Sequence, residues 1–347
     1  MKGWEIFGLF ICCITVFILS DTVRAKEGVN LVIKFNDWGP PGIGIGKLHS
    51  QAAEMIQKRT QGRIKVECYF SQSLLKYADT FSGVAEGIAD ISLYTFGATS
   101  GIHRLNVVVG LPFIKYDSME EAVNIYNQLR REFPVLDEEF EKLGVKVLSW
   151  RFMPGTQLHT VKKKCVEPKD LAGLRVIGGQ SLENLAKASG AAIVTLGPPD
   201  WYTSLERGLV QGQFVHWVAA LEFKILELFK YHTQFGWSGA GCQPIGFIVN
   251  LNTWKKLSPE DQKIIIETYD WVNRESMKYD IEKEKEAIET ARKMGHEIID
   301  LPKEKISEWA KLAMPYHEQW KEECLKKGYS KQIIESIYSR LLKLTSD

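Results

Sequence analysis

Histidine, cysteine, serine and glycine are the residues with which a chain of this size would do metal, nucleophilic or phosphate chemistry. Their spacing here selects none of these. The seven histidines, His49, His103, His159, His216, His232, His296 and His317, are dispersed. There is no HExxH and no pair at i and i+4 to aim two imidazoles at one metal. Each reads as a surface or internally satisfied histidine, and no metal or cofactor is expected. Gly42-Ile43-Gly44-Ile45-Gly46-Lys47 resembles a phosphate loop only at a glance. A dinucleotide fingerprint needs glycine at 47, where lysine stands; a P-loop needs glycine at 41 and Ser or Thr at 48, where proline and leucine stand. The stretch reads as a glycine-rich turn entering a helix, with backbone N–H groups open to a ligand. Gly236-Trp237-Ser238-Gly239-Ala240 lacks the final glycine of a nucleophile elbow. A Ser/His/Asp set drawn from distant positions is marked out by nothing.

What remains is chemistry that binds and releases. A cleft for that purpose needs aromatic walls and a few convergent polar anchors. Of the ten tryptophans, Trp38, Trp150, Trp217 and Trp237 fall near strand ends beside glycine turns, where a cleft would open. Tyr94 closes a short strand, and Arg151 follows one directly. A tryptophan at any one of these places reads equally well as core.

The N-terminus points to export. Lys2 precedes an apolar run, Ile6–Leu19, shorter than the roughly 20 residues that span a bilayer comfortably. Val23 and Ala25 then occupy the −3 and −1 positions of a small-residue cleavage site, so residues 1–25 read as a signal peptide cut after Ala25. The other reading is an uncleaved anchor. Lipidation at Cys12 is disfavoured by the bulky Ile11 before it. The formal charge of +1 gives no support for nucleic acid as a partner, which would require a basic face. Lys162-Lys163-Lys164 reads as a solvated turn. Removing the leader reduces six cysteines to four, Cys68, Cys165, Cys242 and Cys324, with no CxxC among them. They read as free and buried.

The elements that must position such a site alternate strand and helix. Residues 30–36, 64–70 and 91–94 read as strands, with helical spacing at 47–60 and 77–87 between them. This β-α-β-α-β order implies a parallel sheet. Helices over 118–133 and 136–143 and a strand over 145–150 complete a first unit. A second α/β unit follows, with strands at 174–177, 193–196 and 213–217 and helices at 182–189, 201–207 and 219–229. A strand at 246–250 returns to the first unit. Ser258 as N-cap and Pro259 at the first helical position open a long amphipathic helix towards Gly295, and the chain after Lys303 reads as helical. The resulting expectation is residues 26–150 plus 237–280 in one α/β domain and 151–236 plus 281–347 in the other.

Several blocks, in order and spacing, resemble the DctP-type solute-binding proteins of tripartite ATP-independent periplasmic (TRAP) transporters. They are DTFSGVAEGIADIS (79–92), GLPF (110–113), LGVKVLSWRFMPGTQLHT (143–160), DLAGLRVIGGQSLENLAKASGAAIVTL (170–196), YTSLERGLVQGQF (202–214), FKILELFKYHT (223–233) and VNLNTWKKLSPEDQ (249–262). The resemblance implies an α/β, two-domain periplasmic binding protein fold (type II-like) with hinge strands and one long helix spanning both domains. It implies a monomeric, non-enzymatic periplasmic receptor that closes on a small solute and hands it to the small and large membrane subunits. A receptor for an ATP-driven importer or a sensor kinase is the competing reading.

One departure bears on the ligand. The family commonly holds a substrate carboxylate with an arginine at the position occupied here by Ile177, and a second arginine of some members falls at Gln157. Arg175, two residues earlier on the same strand face, and Arg151 are the remaining candidate cations. The expectation is therefore a small organic anion, a carboxylate or sulfonate, held by Arg175 or Arg151 with Gln157, Trp38, Trp217, Trp237 and Tyr94 around it. A neutral or amine-bearing ligand would instead use Asp37 or Asp200 with an aromatic wall.

Overall fold

The computed structural model describes residues 31–346 apart from residue 43 and residues 97–100. The leader and its cleavage site lie outside the described residues. Two sheets form the frame. In the first, β1 (Leu31–Asn36), β2 (Ile64–Tyr69) and β3 (Ile91–Thr95) are parallel, while β10 (Pro244–Asn250) runs antiparallel between β3 and β4 (Val145–Phe152). In the second, β5 (Gln157–Thr160), β6 (Arg175–Ile177), β7 (Ala192–Val194), β8 (Gly212–Val215), β9 (Tyr231–Gln234) and β11 (Glu297–Asp300) take the order β11-β9-β5-β8-β6-β7. The apolar run PIGFIVN of β10 is buried at every residue, as its central place between two strands demands.

Helices cover both faces. α1 (Gly46–Arg59) and the first half of α9 (Pro259–Lys293) close one face of the first sheet, with Ile56, Tyr269 and Val272 packed on Phe35 and Phe247. The opposite face carries α2 (Thr80–Ala85), α3 (Met119–Glu132) and α4 (Val135–Glu141). On the second sheet, α5 (Glu183–Ala188) packs on one face, and α6 (Pro198–Glu206) and α7 (Trp217–Glu222) on the other. α8 (Leu251–Lys256) follows β10, and α10 (Lys303–Lys326) and α11 (Lys331–Leu344) end the chain.

The long helix crosses as expected. Its 35 residues rise about 52 Å. Ile265, Tyr269 and Val272 enter the first core, and Ala287 and Ala291 enter the second. The Ser258 hydroxyl accepts from the Asp261 N–H at 3.1 Å and caps it. The C-terminal helices are a correction to the expected division at 281–347. Trp309 and Ala313 of α10 belong to the second core, but Tyr316, Trp320 and Cys324, and Ile334 to Leu341 of α11, pack in the first. α10 passes from one core to the other at Pro315. Among the described residues the crossings are thus residues 153–156 between β4 and β5, residues 235–243 between β9 and β10, α9 and α10. The four cysteines among the described residues are unpaired, with Cys165, Cys242 and Cys324 buried. No described helix is long and apolar enough to cross a membrane.

Candidate functional site

The two crossing strands touch so closely that only glycine fits. A Cβ on Gly155 would stand 2.0 Å from the Trp237 carbonyl oxygen, and one on Gly239 2.1 Å from that of Thr156. Gly239 also has φ +61°, in the left-handed region that glycine enters freely. Gln157 ties the strands together: its Nε2 donates to the Gly236 carbonyl at 2.8 Å and its Oε1 accepts from the Phe235 N–H at 2.9 Å.

Cavities open on both sides of this crossing. The larger, about 730 Å³, is lined by Gln157 and Trp237 of the crossing strands, Phe113 and Lys115 of the first domain, Glu284 of α9 and Lys303 at the start of α10. The second, about 470 Å³, is lined by Thr156, Gly241 and Gln243 of the crossing, with Gln180, Thr195 and Phe214 of the second domain. Both have the size of small-molecule sites.

The buried and half-buried carboxylates nearest the crossing, Asp280 and Glu284, lie on α9. Arg151, the last but one residue of β4, pairs with Asp280 at 2.5 Å, with both side chains buried. Burial pushes the Asp280 carboxyl up to about 6 against the pull of the guanidinium. One turn on, Glu284 is half-buried, and burial followed by the charge of Asp280 pushes its carboxyl up to about 7. The Tyr279 hydroxyl donates to Glu222 of α7, beside the Gly44 turn of the first domain. His216 accepts from the Ala219 N–H as the cap of α7; burial and the nearby Arg151 charge hold it down to about 4.

The residues singled out from the sequence scatter across this frame. Gln157 and Trp237 meet in the larger cavity. Arg151 is at the domain junction, but its guanidinium is committed to Asp280. Asp37 is buried at the end of β1, where its carboxylate accepts from Gly39 N–H at 2.7 Å and faces His49 Nδ1 at 2.6 Å. Trp38 stands edge-on to Tyr77, with ring centroids 5.3 Å apart. Trp217 is wholly buried, packing on His159 and donating to Gln234 at 3.1 Å. Tyr94 is a core residue bonded to His103. Arg175 is exposed at the start of β6 and lines neither cavity, while Ile177 is buried with Val215 and Trp217. Asp200 is exposed in the first turn of α6. The reason is strand register: β6 is only three residues long, so its first residue sits at the outer rim and its last in the core.

Asp280 and Glu284 escaped the sequence reading because they sit among many charged residues of α9. Helical phase was the available signal. They continue, at i+4 steps, the buried row Val272, Ser276, Asp280. The histidines behave as internal residues. His159 Nε2 faces the Val215 carbonyl at 3.1 Å, and His317 bridges the Pro112 carbonyl and the Tyr338 hydroxyl. No group of three metal-holding side chains occurs among the described residues.

The family model for bacterial extracellular solute-binding proteins, family 7 (DctP), matches residues 40–323. A solute-binding protein of Albidiferax ferrireducens is 28% identical over 272 residues, covering 76% of each chain. The C4-dicarboxylate-binding periplasmic protein DctP of Rhodobacter capsulatus is 26% identical over 303 residues, 84% of this chain and 87% of that protein. A marine-metagenome TRAP solute-binding protein specific for aromatic acids, solved with metahydroxyphenylacetate, superposes with a TM-score of 0.79. It is 23% identical and covers 91% of this chain and all of the other, which establishes the shared fold. With the match spanning both sheets and the hinge between them, this chain belongs to the DctP family of bacterial extracellular solute-binding proteins, family 7.

Proposed function

We propose that this chain is the periplasmic receptor of a TRAP transporter, exported by its N-terminal leader, and that it binds a small organic acid between its domains for delivery to the membrane subunits. The observation that carries the reading is the pair of interdomain cavities astride a hinge in a chain of the DctP family. A ligand that touches both lobes has more contacts when they are closed, so binding shifts the population towards a closed shape that membrane subunits can recognise. Relatives named for C4-dicarboxylates and aromatic acids support an organic acid as the solute class. Gln157 and Trp237 are the proposed contacts from the hinge. Arg151 is already occupied by Asp280, so it serves as a junction between β4 and α9.

The test is a thermal-shift screen of the chain from Lys26, unfolded and refolded to strip any solute, against carboxylates, sulfonates, aromatic acids, polyols and amines. A ligand at about a hundred times its Kd adds roughly 2.7 kcal/mol, a rise of several degrees. A shift with an acid-bearing class supports the reading. Shifts confined to polyols, or to amines without an acid group, overturn the acid as the recognised feature.

A further inference from the structure

The larger cavity has more to say about its solute than that it is an acid, on the reading that this cavity is the solute site. Five charged residues line it: Lys115, Asp117, Glu284, Asp300 and Lys303. Three of them are already occupied. Lys115 pairs with Asp117 at 3.2 Å, and Asp300 accepts from the Gln234 amide at 2.5 Å. Glu284 and Lys303 are the two whose charged groups have no hydrogen bond or ion pair among the described residues. They come from different elements, α9 and the first turn of α10, and flank a space walled by Phe113, Phe235 and Trp237.

We propose that the solute is a zwitterion, an organic acid that also carries a protonated amine, with Glu284 meeting the ammonium and Lys303 the acid group. A half-buried carboxylate without a partner is costly to keep ionised, and an opposite charge brought against it removes that cost. Glu284 cannot take Arg151 as its partner, because Asp280 holds it; the Asp280 charge instead adds to the negative potential at Glu284. A plain dianion entering the same space would find one unpaired cation facing an unpaired anion. The aromatic faces suit both the apolar body of such a solute and its cationic end.

Matched pairs decide the matter by isothermal titration at pH 7.5 of the stripped chain: phenylalanine with 3-phenylpropanoate, glutamate with glutarate, and 4-aminobutyrate with butyrate. The amine-bearing member of at least one pair binds about tenfold or more tighter than its deaminated partner, and Glu284→Gln erases that preference. Lys303→Ala weakens both members of that pair. A deaminated member that binds equally or more tightly, or a preference that survives Glu284→Gln in a variant with wild-type circular dichroism, overturns the ammonium contact and leaves the receptor reading intact. No heat with any member, in a chain whose refolding is verified, overturns the zwitterion, while the receptor reading falls separately, on the thermal-shift panel.

Discussion

At the scale of single residues, the Arg151–Asp280 pair is the clearest commitment of the fold. Both side chains are buried, so removing one strands the other charge in a poor solvent. Asp280→Ala should cost about 3–5 kcal/mol, read as a lowered urea midpoint, and the double replacement Arg151→Met/Asp280→Leu should recover most of it. Glu284 makes a pH-dependent prediction. Its carboxyl is raised above 4.5 to about 7, so the native state holds its proton where the unfolded state has lost it. That contribution to stability is present below about 4.5 and lost as pH rises through 7. Glu284→Gln removes the loss, so its melting temperature should exceed wild type by about 2–4 °C at pH 8 and by less at pH 5. An equal difference at both values would refute the buried carboxylate. The sequence showed these residues as ordinary helix charges. Only contact with β4 and with the cavity separates them from their neighbours on α9.

At the scale of elements, the hinge depends on backbone approach. Gly239→Ala places a methyl against the Thr156 carbonyl at a positive φ, and should destabilise by about 2 kcal/mol or more. Denaturation of the variant checks this; a wild-type midpoint would show that the two strands separate at little cost. Pro315 acts in the opposite sense. It lies inside α10, exposed, where the helix leaves the second core for the first. It can donate no i→i−4 bond, and its ring crowds the preceding turn. Pro315→Ala should raise the melting temperature by about 2–4 °C or more and reduce the change in radius of gyration on solute binding, measured by small-angle scattering. Of these elements the sequence displayed α9 in full, because Ser258, Pro259 and a long apolar phase are local signals. β5, β9 and β11, each four residues, were not visible as strands. Their residues satisfy the backbone by pairing across distances of 50 residues and more, which no local pattern encodes.

At the scale of the whole molecule, buried histidines set the acid limit. The Val215 carbonyl only accepts, so His159 must carry its proton on Nε2 and present Nδ1 as an acceptor. His232 therefore donates from Nδ1 at 2.6 Å and accepts at Nε2 from His296 Nδ1, 3.1 Å away. An added proton on either inner ring breaks this one-way chain. Burial holds His159 and His103 down to about 3 and His232 down to about 2, against an ordinary value of 6.5. The unfolded chain takes up these protons first, so their contribution is whole above about 6.5 and is lost as pH falls towards 3. Asp280 and Glu284 work in the other direction over part of this range, but they are fewer. Melting temperature should fall between pH 7 and pH 4, with net proton uptake on unfolding measured by titration calorimetry in buffers of different ionisation enthalpy.

Most of the order of strands and helices, the two-unit plan, the long crossing helix and the family resemblance were written in local patterns: apolar period, caps, and blocks of residues in sequence order. These depend on neighbours within a turn or two, so a single chain displays them. Which cation faces the cleft, which tryptophan is wall and which is core, and where the C-terminal helices belong were decided by tertiary structure alone. Arg175 and Ile177 differ by two positions on one short strand, yet one is at the rim and the other in the core. Arg151 looked available until Asp280, 129 residues away, closed on it. Burial and pairing are properties of distant segments brought together, and a charge has its chemical meaning only once its partners are fixed.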